Sequence, residues 1–193
     1  MKKKALKLNF ITITTLIALA LISRIIPHPY NFAPMMAVGI FGGALFTQKK
    51  WAYIIPLVAI FLSDLLINNI LMSDYYGHFV WAYEGWYWQY AVFALIPFLS
   101  VILFKNHISV SKIIGMSVFS SIIFFIVTNF GVWATGMMYP MNTEGLMACF
   151  VAGIPFYKGA LLGNLFYCGV LFGTYYLIGR KIPSLQLPRL SLN

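Results

Sequence analysis

Four ionisable side chains lie within or beside long apolar stretches, whereas the other Lys and Arg residues lie in short polar segments; the four are Arg24, Asp64, Glu144 and Lys158. A charge near the centre of a bilayer costs roughly 2.5 to 3.5 kcal/mol on insertion scales and is kept where it has a partner or a ligand. Arg24 and Asp64 form either a buried ion pair that locks two helices together or part of a binding site. We look for function at these charges.

Two further motifs offer hydrogen-bonding groups. Three prolines in segment 27–34 forbid a continuous helix and predict a stiff, extended link that presents His28 and Asn31. Segment 128–139 ends an apolar run in glycines and polar side chains, and its candidate groups are Asn129, Trp133 and Tyr139. Both motifs are also compatible with plain structural connectors.

The last long apolar run begins with a proline that predicts a helix break. Pro155 stands just before Phe156, so the helix after it is expected to present free N–H groups and a positive dipole end. Lys158 lies in its first turn, with Asn164 further along. Together these groups suit the anionic part of a ligand.

Aromatic residues are concentrated in segment 73–90, here called the aromatic loop: Tyr75, Tyr76, Phe79, Trp81, Tyr83, Trp86, Tyr87, Trp88 and Tyr90. Such a density is typical of the aromatic belt at a membrane surface. Alternatively, the rings form a lid over a ligand that is itself apolar or aromatic.

The composition places the chain in the helical membrane class, with 61% hydrophobic residues, 9% charged residues and a mean hydropathy of +0.85. Apolar stretches of suitable length predict an all-α bundle of six transmembrane helices forming a single domain over residues 1–193. The predicted spans are 8–26, 33–46, 51–72, 86–104, 113–135 and 156–179. The second span is short, since its fourteen residues cover only about 21 Å as a helix.

The basic residues predict the orientation. With six crossings and both termini in the cytoplasm, eleven of the thirteen Lys and Arg residues lie on the cytoplasmic side: Lys2, Lys3, Lys4, Lys7, Lys49, Lys50, Lys105, Lys112, Arg180, Lys181 and Arg189. The basic residues lie at intervals along the chain and form no continuous basic face. The net charge of +9 therefore does not indicate nucleic-acid binding, which we exclude. We expect a multi-pass protein of the bacterial cytoplasmic membrane, in contact with lipid.

This topology predicts that Arg24, Asp64, Asn129, Lys158 and Asn164 converge in the outer half of the bundle, because intramembrane polar groups face the interior and meet there. The expected substrate-binding set is therefore Arg24, His28, Asn31, Asp64, Asn129, Trp133, Tyr139, Lys158 and Asn164. No P-loop, zinc-protease or nucleophile-elbow motif is present, and the connections are too short for a catalytic domain. We predict no enzyme activity, no cofactor and no metal site.

The order of the motifs in segments 23–46, 56–65, 128–140 and 145–173 resembles a bacterial family of unknown function that is catalogued as candidate transport proteins. In size and span number the chain is also similar to the S components of energy-coupling-factor transporters. That resemblance implies uptake of a vitamin-like nutrient and partners supplied in trans, namely a transmembrane scaffold and ATPase subunits. The family pattern has an acidic residue where this chain has Asn164.

Three functions therefore stay open. The first is a non-catalytic subunit that binds a small nutrient at the outer face. The second is a self-contained carrier or channel in which Asp64 is the proton or ion site. The third is a structural or assembly subunit whose charges only lock helices together.

Overall fold

The regular secondary structure is entirely helical in the computed structural model, which describes residues 2–182 and Leu185. Its α-helices are α1 (Lys2–Ile22), α2 (Met35–Leu45), α3 (Lys49–Leu66), α4 (Ser73–Tyr76), α5 (Trp86–Leu103), α6 (Val110–Ala134) and α7 (Thr143–Lys181). A 3-10 turn, Ser23–Ile25, extends α1, and a π-helical turn, Ile67–Leu71, extends α3. The predicted all-α class is confirmed for this part of the chain.

Five helices in the described part are long and apolar enough to cross a membrane. They are the segments 5–25, 49–71, 86–103, 110–134 and 143–181. Four of the predicted spans, 8–26, 51–72, 86–104 and 113–135, match them closely in position. The fold is thus consistent with a multi-pass membrane protein.

The short second helix, α2, lies at the centre of the bundle. Its eleven residues cover only about 16 Å, and every residue from Met36 to Leu45 is buried. Close packing on all sides relies on glycine, because a Cβ at Gly42 would lie 2.8 Å from Cγ of Pro56 and one at Gly43 would lie 2.6 Å from Cβ of Ser100. The small residues let α3 and α5 approach the α2 backbone directly.

The link before α2 contains a turn and packs its backbone against α7, which corrects the prediction of a wholly extended segment. The N–H of Phe32 donates to the carbonyl of Pro29 at 3.0 Å, and Asn31 has a positive φ of 58°. A Cβ on Gly159 or Gly163 of α7 would collide with this turn, at the Tyr30 carbonyl in the first case. The backbone of the link thus contacts α7 on one side, while its residues from Pro27 to Asn31 remain exposed.

Helix α7 differs most from its prediction. It begins at Thr143 instead of Phe156 and runs unbroken through Pro155, so the expected break ahead of the last span is wrong. The Asn142 side chain caps the helix by accepting a hydrogen bond from the N–H of Gly145 at 2.8 Å. Proline removes one N–H, whereas a break in apolar surroundings would leave several backbone groups unsatisfied.

The enclosure of α2 predicts that Gly43→Ala destabilises the protein by about 1 to 3 kcal/mol, because the new methyl group overlaps Ser100 and the Pro97 carbonyl. Gly169→Ala is the matched control, since no atom lies within 4 Å of its Cβ position. Thermal unfolding of both variants in detergent, followed by tryptophan fluorescence, measures the difference. Equal midpoints for the two variants would contradict the close packing of α2.

Candidate ligand-binding site

Arg24 and Asp64 form a buried ion pair at the junction of three helices. Nη1 of Arg24 lies 2.7 Å from Oδ1 of Asp64 and donates to the Ser63 hydroxyl at 2.8 Å. The Tyr90 hydroxyl donates to Oδ2 of Asp64 at 2.7 Å. Both carboxylate oxygens are therefore engaged, and the turn after α1, helix α3 and helix α5 are tied together.

The ion pair leaves part of the Arg24 guanidinium available. A guanidinium carries five N–H donors. The two on Nη1 face Asp64 and Ser63, while those on Nε and Nη2 have no partner among the described residues. Because Asp64 holds one edge of the planar group, the other donors have a defined orientation for a ligand.

Arg24 lines a cavity of about 230 Å³, here called the first cavity. Its polar lining comes from Arg24, His28, Asn31 and Gln89. The apolar lining comes from side chains of the link, α2, the π-helical turn and helices α5 to α7: Ala33, Met35, Met36, Ile67, Phe93, Phe124 and Ala160. Few polar groups on an apolar wall are typical of small-molecule sites.

A second cavity of about 290 Å³ adjoins the first, since Asn31, Gln89 and Phe124 line both. Its remaining lining is contributed by α6, α7 and the connection between them: Thr128, Asn129, Val132, Met138, Tyr139, Cys149, Ala152, Gly153 and Phe156. No charged side chain lines it. The two cavities therefore border each other and are here called the joined cavities, and Arg24 supplies the one guanidinium among their lining residues.

The N-terminus of α2 also opens on the first cavity, which Met35 and Met36 line. No side chain caps this helix, and the backbone N–H groups of Met35 and Met36 have no hydrogen-bond partner in the described part of the chain. Unpaired N–H groups and the helix dipole favour a negative charge at this position. The sequence predicted an uncapped helix N-terminus after Pro155; the structure has one at the start of α2.

The π-helical turn after Asp64 is hydrogen-bonded to the aromatic loop. The Asn69 side chain accepts a hydrogen bond from the N–H of Val80 at 2.7 Å and donates to the Val80 carbonyl at 2.9 Å. In the same loop, burial and then the charge of Asp64 raise the pKa of Tyr83 above its ordinary value. The Tyr83 hydroxyl therefore lies in a partly buried position near the Asp64 charge.

One turn after Asp64, Asn68 has an unsatisfied amide. Asn68 is buried, and its Nδ2 group has no partner among the described residues. Buried donors without partners are rare in native proteins and require an explanation such as bound water or ligand. This donor lies on the buried face of the helix that carries Asp64.

Five predicted site residues line the joined cavities: Arg24, His28, Asn31, Asn129 and Tyr139. Asp64 lines neither cavity and instead holds Arg24 in place through the ion pair. Trp133 lies beside the second cavity, where its indole N–H donates to the Pro140 carbonyl at 3.0 Å and braces the α6–α7 connection.

Lys158 and Asn164 lie elsewhere, so the predicted convergence is wrong for these two. Lys158 is exposed and lines neither cavity. The Asn164 side chain is fully buried and donates to the Ser117 carbonyl at 2.9 Å and to the Ser120 hydroxyl at 2.8 Å. These hydrogen bonds join α7 to α6. The α6 serines lie beside Asn164 and line neither cavity.

Sequence reasoning missed Gln89 and Asn69, and it named Tyr90 only as one ring of the aromatic loop. Gln89 and Tyr90 lie in the aromatic run that opens α5, where the interfacial belt masked their individual roles. The available signal was an amide within a predicted span, since polar groups in such positions seek interior partners. Nothing in the sequence pattern signalled the π-helical turn that brings Asn69 to Val80.

The ion pair predicts strong coupling between its members. Asp64→Leu and Arg24→Met should each destabilise the protein by about 3 to 5 kcal/mol, because each leaves a buried charge without its partner. The double variant should lose less than either single variant. Unfolding in detergent measures all three, and losses that simply add would contradict a coupled pair.

Comparison with known proteins yields one relationship. No curated protein and no solved structure matches the chain. The model of a family described as "Family of unknown function (DUF6580)" matches residues 4–185 of the 193 residues. Because this match covers nearly the whole chain, the protein belongs to that family of unknown function.

Proposed function

We propose that this protein is a non-catalytic membrane subunit that binds a small nutrient in the joined cavities for uptake. The proposed topology has six crossings with both termini in the cytoplasm, as the distribution of Lys and Arg favours. In it, α2 and the packed link before it make the short second crossing. The site then opens to the outer face of the bacterial cytoplasmic membrane.

The observation that carries this proposal is the pairing of an oriented guanidinium with a mostly apolar cavity. Three N–H donors of Arg24 have no partner among the described residues, and Asp64 fixes their direction. A purely structural ion pair does not require a cavity of about 230 Å³ beside it. Convergent polar groups in an apolar cavity are the default criterion for a binding site.

The lining indicates the chemistry of the ligand. Its anionic group would lie between Arg24 and the N-terminus of α2, where unpaired N–H donors collect. The amides of Asn31, Gln89 and Asn129 can each donate and accept hydrogen bonds. Phe93, Phe124 and Phe156 supply apolar and aromatic walls for a flat or hydrocarbon portion.

Binding alone cannot move a solute against its gradient, so uphill uptake requires an energy source. The chain has no P-loop motif. We propose an arrangement like that of the S components of energy-coupling-factor transporters, in which a transmembrane scaffold and ATPase subunits act in trans. The assignment to this type of transporter rests on size, span number and the position of the site.

A structural role for the charges is the second candidate. The observation in its favour is that Asp64 uses both carboxylate oxygens within the protein, toward Arg24 and Tyr90. A carboxylate engaged in this way is less suited to be the ion or proton site of a self-contained carrier. Locking of helices and orientation of Arg24 are compatible, so ligand binding is the measurement that separates the two roles.

Gln89→Leu should abolish ligand binding while leaving stability nearly unchanged. Gln89 lines both cavities, and its side chain has no hydrogen-bond partner among the described residues, so the change removes ligand contacts only. Thermal shift with water-soluble vitamins and their carboxylate or phosphate precursors tests this. A ligand at 100 times its Kd should add about 2.7 kcal/mol of stability to the unmodified protein.

Lys158→Gln serves as the matched control, because Lys158 is exposed and lines neither cavity. It should retain the full ligand-induced shift. No shift with any compound of the panel would favour the structural role of the charges. A shift that is lost in Lys158→Gln but kept in Gln89→Leu would contradict the position of the site.

Reconstitution separates a binding subunit from a self-contained carrier. Purified protein alone in liposomes should bind ligand without accumulating it, under either a proton or a sodium gradient. Radiolabelled uptake of a compound identified by thermal shift is the measurement. Gradient-driven accumulation by the chain alone would contradict the need for partner subunits.

A further inference from the structure

A third cavity lies at the opposite end of α3 from Asp64. It has a volume of about 290 Å³ and lies between the first half of α1 and the connection from α2 to α3. We call it the basal cavity. None of its lining residues contributes to the ion pair or to the joined cavities, so it requires its own explanation.

The polar groups of the basal cavity include several donors. Its polar lining consists of Lys7, Asn9, Thr47 and Gln48. Oδ1 of Asn9 accepts a hydrogen bond from the Tyr175 hydroxyl at 2.7 Å, which leaves the Asn9 amide N–H groups for the cavity. The Gln48 side chain does not cap α3, so the first N–H groups of that helix are also uncapped.

Charge around the basal cavity is of one sign. Lys7 lines it, and Lys49 and Lys50 begin α3 immediately after Gln48. The chain has four acidic residues, and none precedes Asp64 in the sequence. Because no acidic side chain lines this cavity or precedes Asp64, none of the described residues offers these lysines a carboxylate here, and an anion from outside the protein is the complementary partner.

The apolar side of the basal cavity indicates where the rest of the partner lies. The Phe10 ring packs against Trp51 with a centroid distance of 5.4 Å, and Nζ of Lys50 lies 5.2 Å from the Trp51 ring. Tryptophan beside lysine is typical of the level at which headgroups meet acyl chains. Next to it, Ile54 and Val58 are exposed along α3, as a surface for hydrocarbon requires.

We propose that the basal cavity binds the phosphate headgroup of an anionic phospholipid, with its acyl chains lying along α1 and α3. A basic pocket between transmembrane helices is the type of site that anionic lipid headgroups occupy. Aromatic and aliphatic neighbours favour a lipid over a free anion, since an inorganic phosphate would make no use of them. A lipid in this position would hold α1 against the start of α3.

Native mass spectrometry of the full-length protein tests the site. Titration with phosphatidylglycerol and with phosphatidylcholine of identical acyl chains should give at least tenfold tighter binding of the anionic lipid. Inorganic phosphate and glycerol phosphate, added as competitors, distinguish a lipid site from a free-anion site. Displacement of phosphatidylglycerol by either soluble anion at similar concentration would overturn the lipid assignment.

Substitution of the lysines near the basal cavity tests where the anionic lipid binds. The triple variant Lys7→Gln, Lys49→Gln, Lys50→Gln should weaken phosphatidylglycerol binding at least tenfold. A control with the same change of charge, Lys105→Gln, Arg180→Gln, Lys181→Gln, should leave it within about twofold, since these exposed cations do not line the cavity and do not belong to α1 or α3. Equal losses in the two triple variants would overturn the proposal, because they would show a general effect of net charge.

A single substitution inside the cavity gives an independent test. Thr47 is exposed and lines the basal cavity, so Thr47→Glu places a carboxylate there without disturbing buried packing. The new charge should reduce phosphatidylglycerol binding at least tenfold while the melting temperature without added lipid stays unchanged. Retained lipid binding in a folded Thr47→Glu protein would overturn the proposal.

Discussion

A polar group inside an apolar bundle costs free energy unless the protein, water or a ligand supplies its partner, because the hydrocarbon of lipid offers neither donors nor acceptors. This constraint explains the features in which the structure is least regular. The backbone of the irregular link before α2 packs against Gly159 and Gly163 of α7. Helix α7 continues through Pro155 because a break would expose further backbone groups. Asn164 is likewise satisfied by a carbonyl and hydroxyls of α6.

The same constraint distinguishes polar groups that stabilise the fold from polar groups that are available to a ligand. Asn164 and Asp64 are both buried, and each has partners within the protein. Arg24 differs, since it satisfies Asp64 and Ser63 with one nitrogen and keeps three donors that face no partner in the described residues. A partly buried cation with unused donors beside a cavity is the pattern expected of a site that binds an anion. We therefore place the proposed function at Arg24 and assign Asp64 the task of orienting it.

The central position of α2 connects fold and site. Because this helix is short and enclosed, its N-terminus ends inside the bundle and not at its surface. Its unpaired N–H groups consequently reach the first cavity, close to Arg24. Helix ends at membrane depth are a recurring means of binding anionic groups in transporters. The glycines that allow α3 and α5 to approach α2 thus also determine where this helix end lies.

Composition and hydrophobic periodicity were sufficient to predict an all-α protein and four of its long apolar helices, because these depend on local patterns of about twenty residues. The importance of Arg24 and Asp64 was also predictable, since isolated charges in apolar runs need partners. Tertiary structure alone decided that Lys158 is exposed, that Asn164 faces the α6 serines and that Gln89 borders both cavities. Those outcomes depend on helix rotation, on the continuity of α7 and on the close approach to α2, which arise from packing between segments far apart in the sequence.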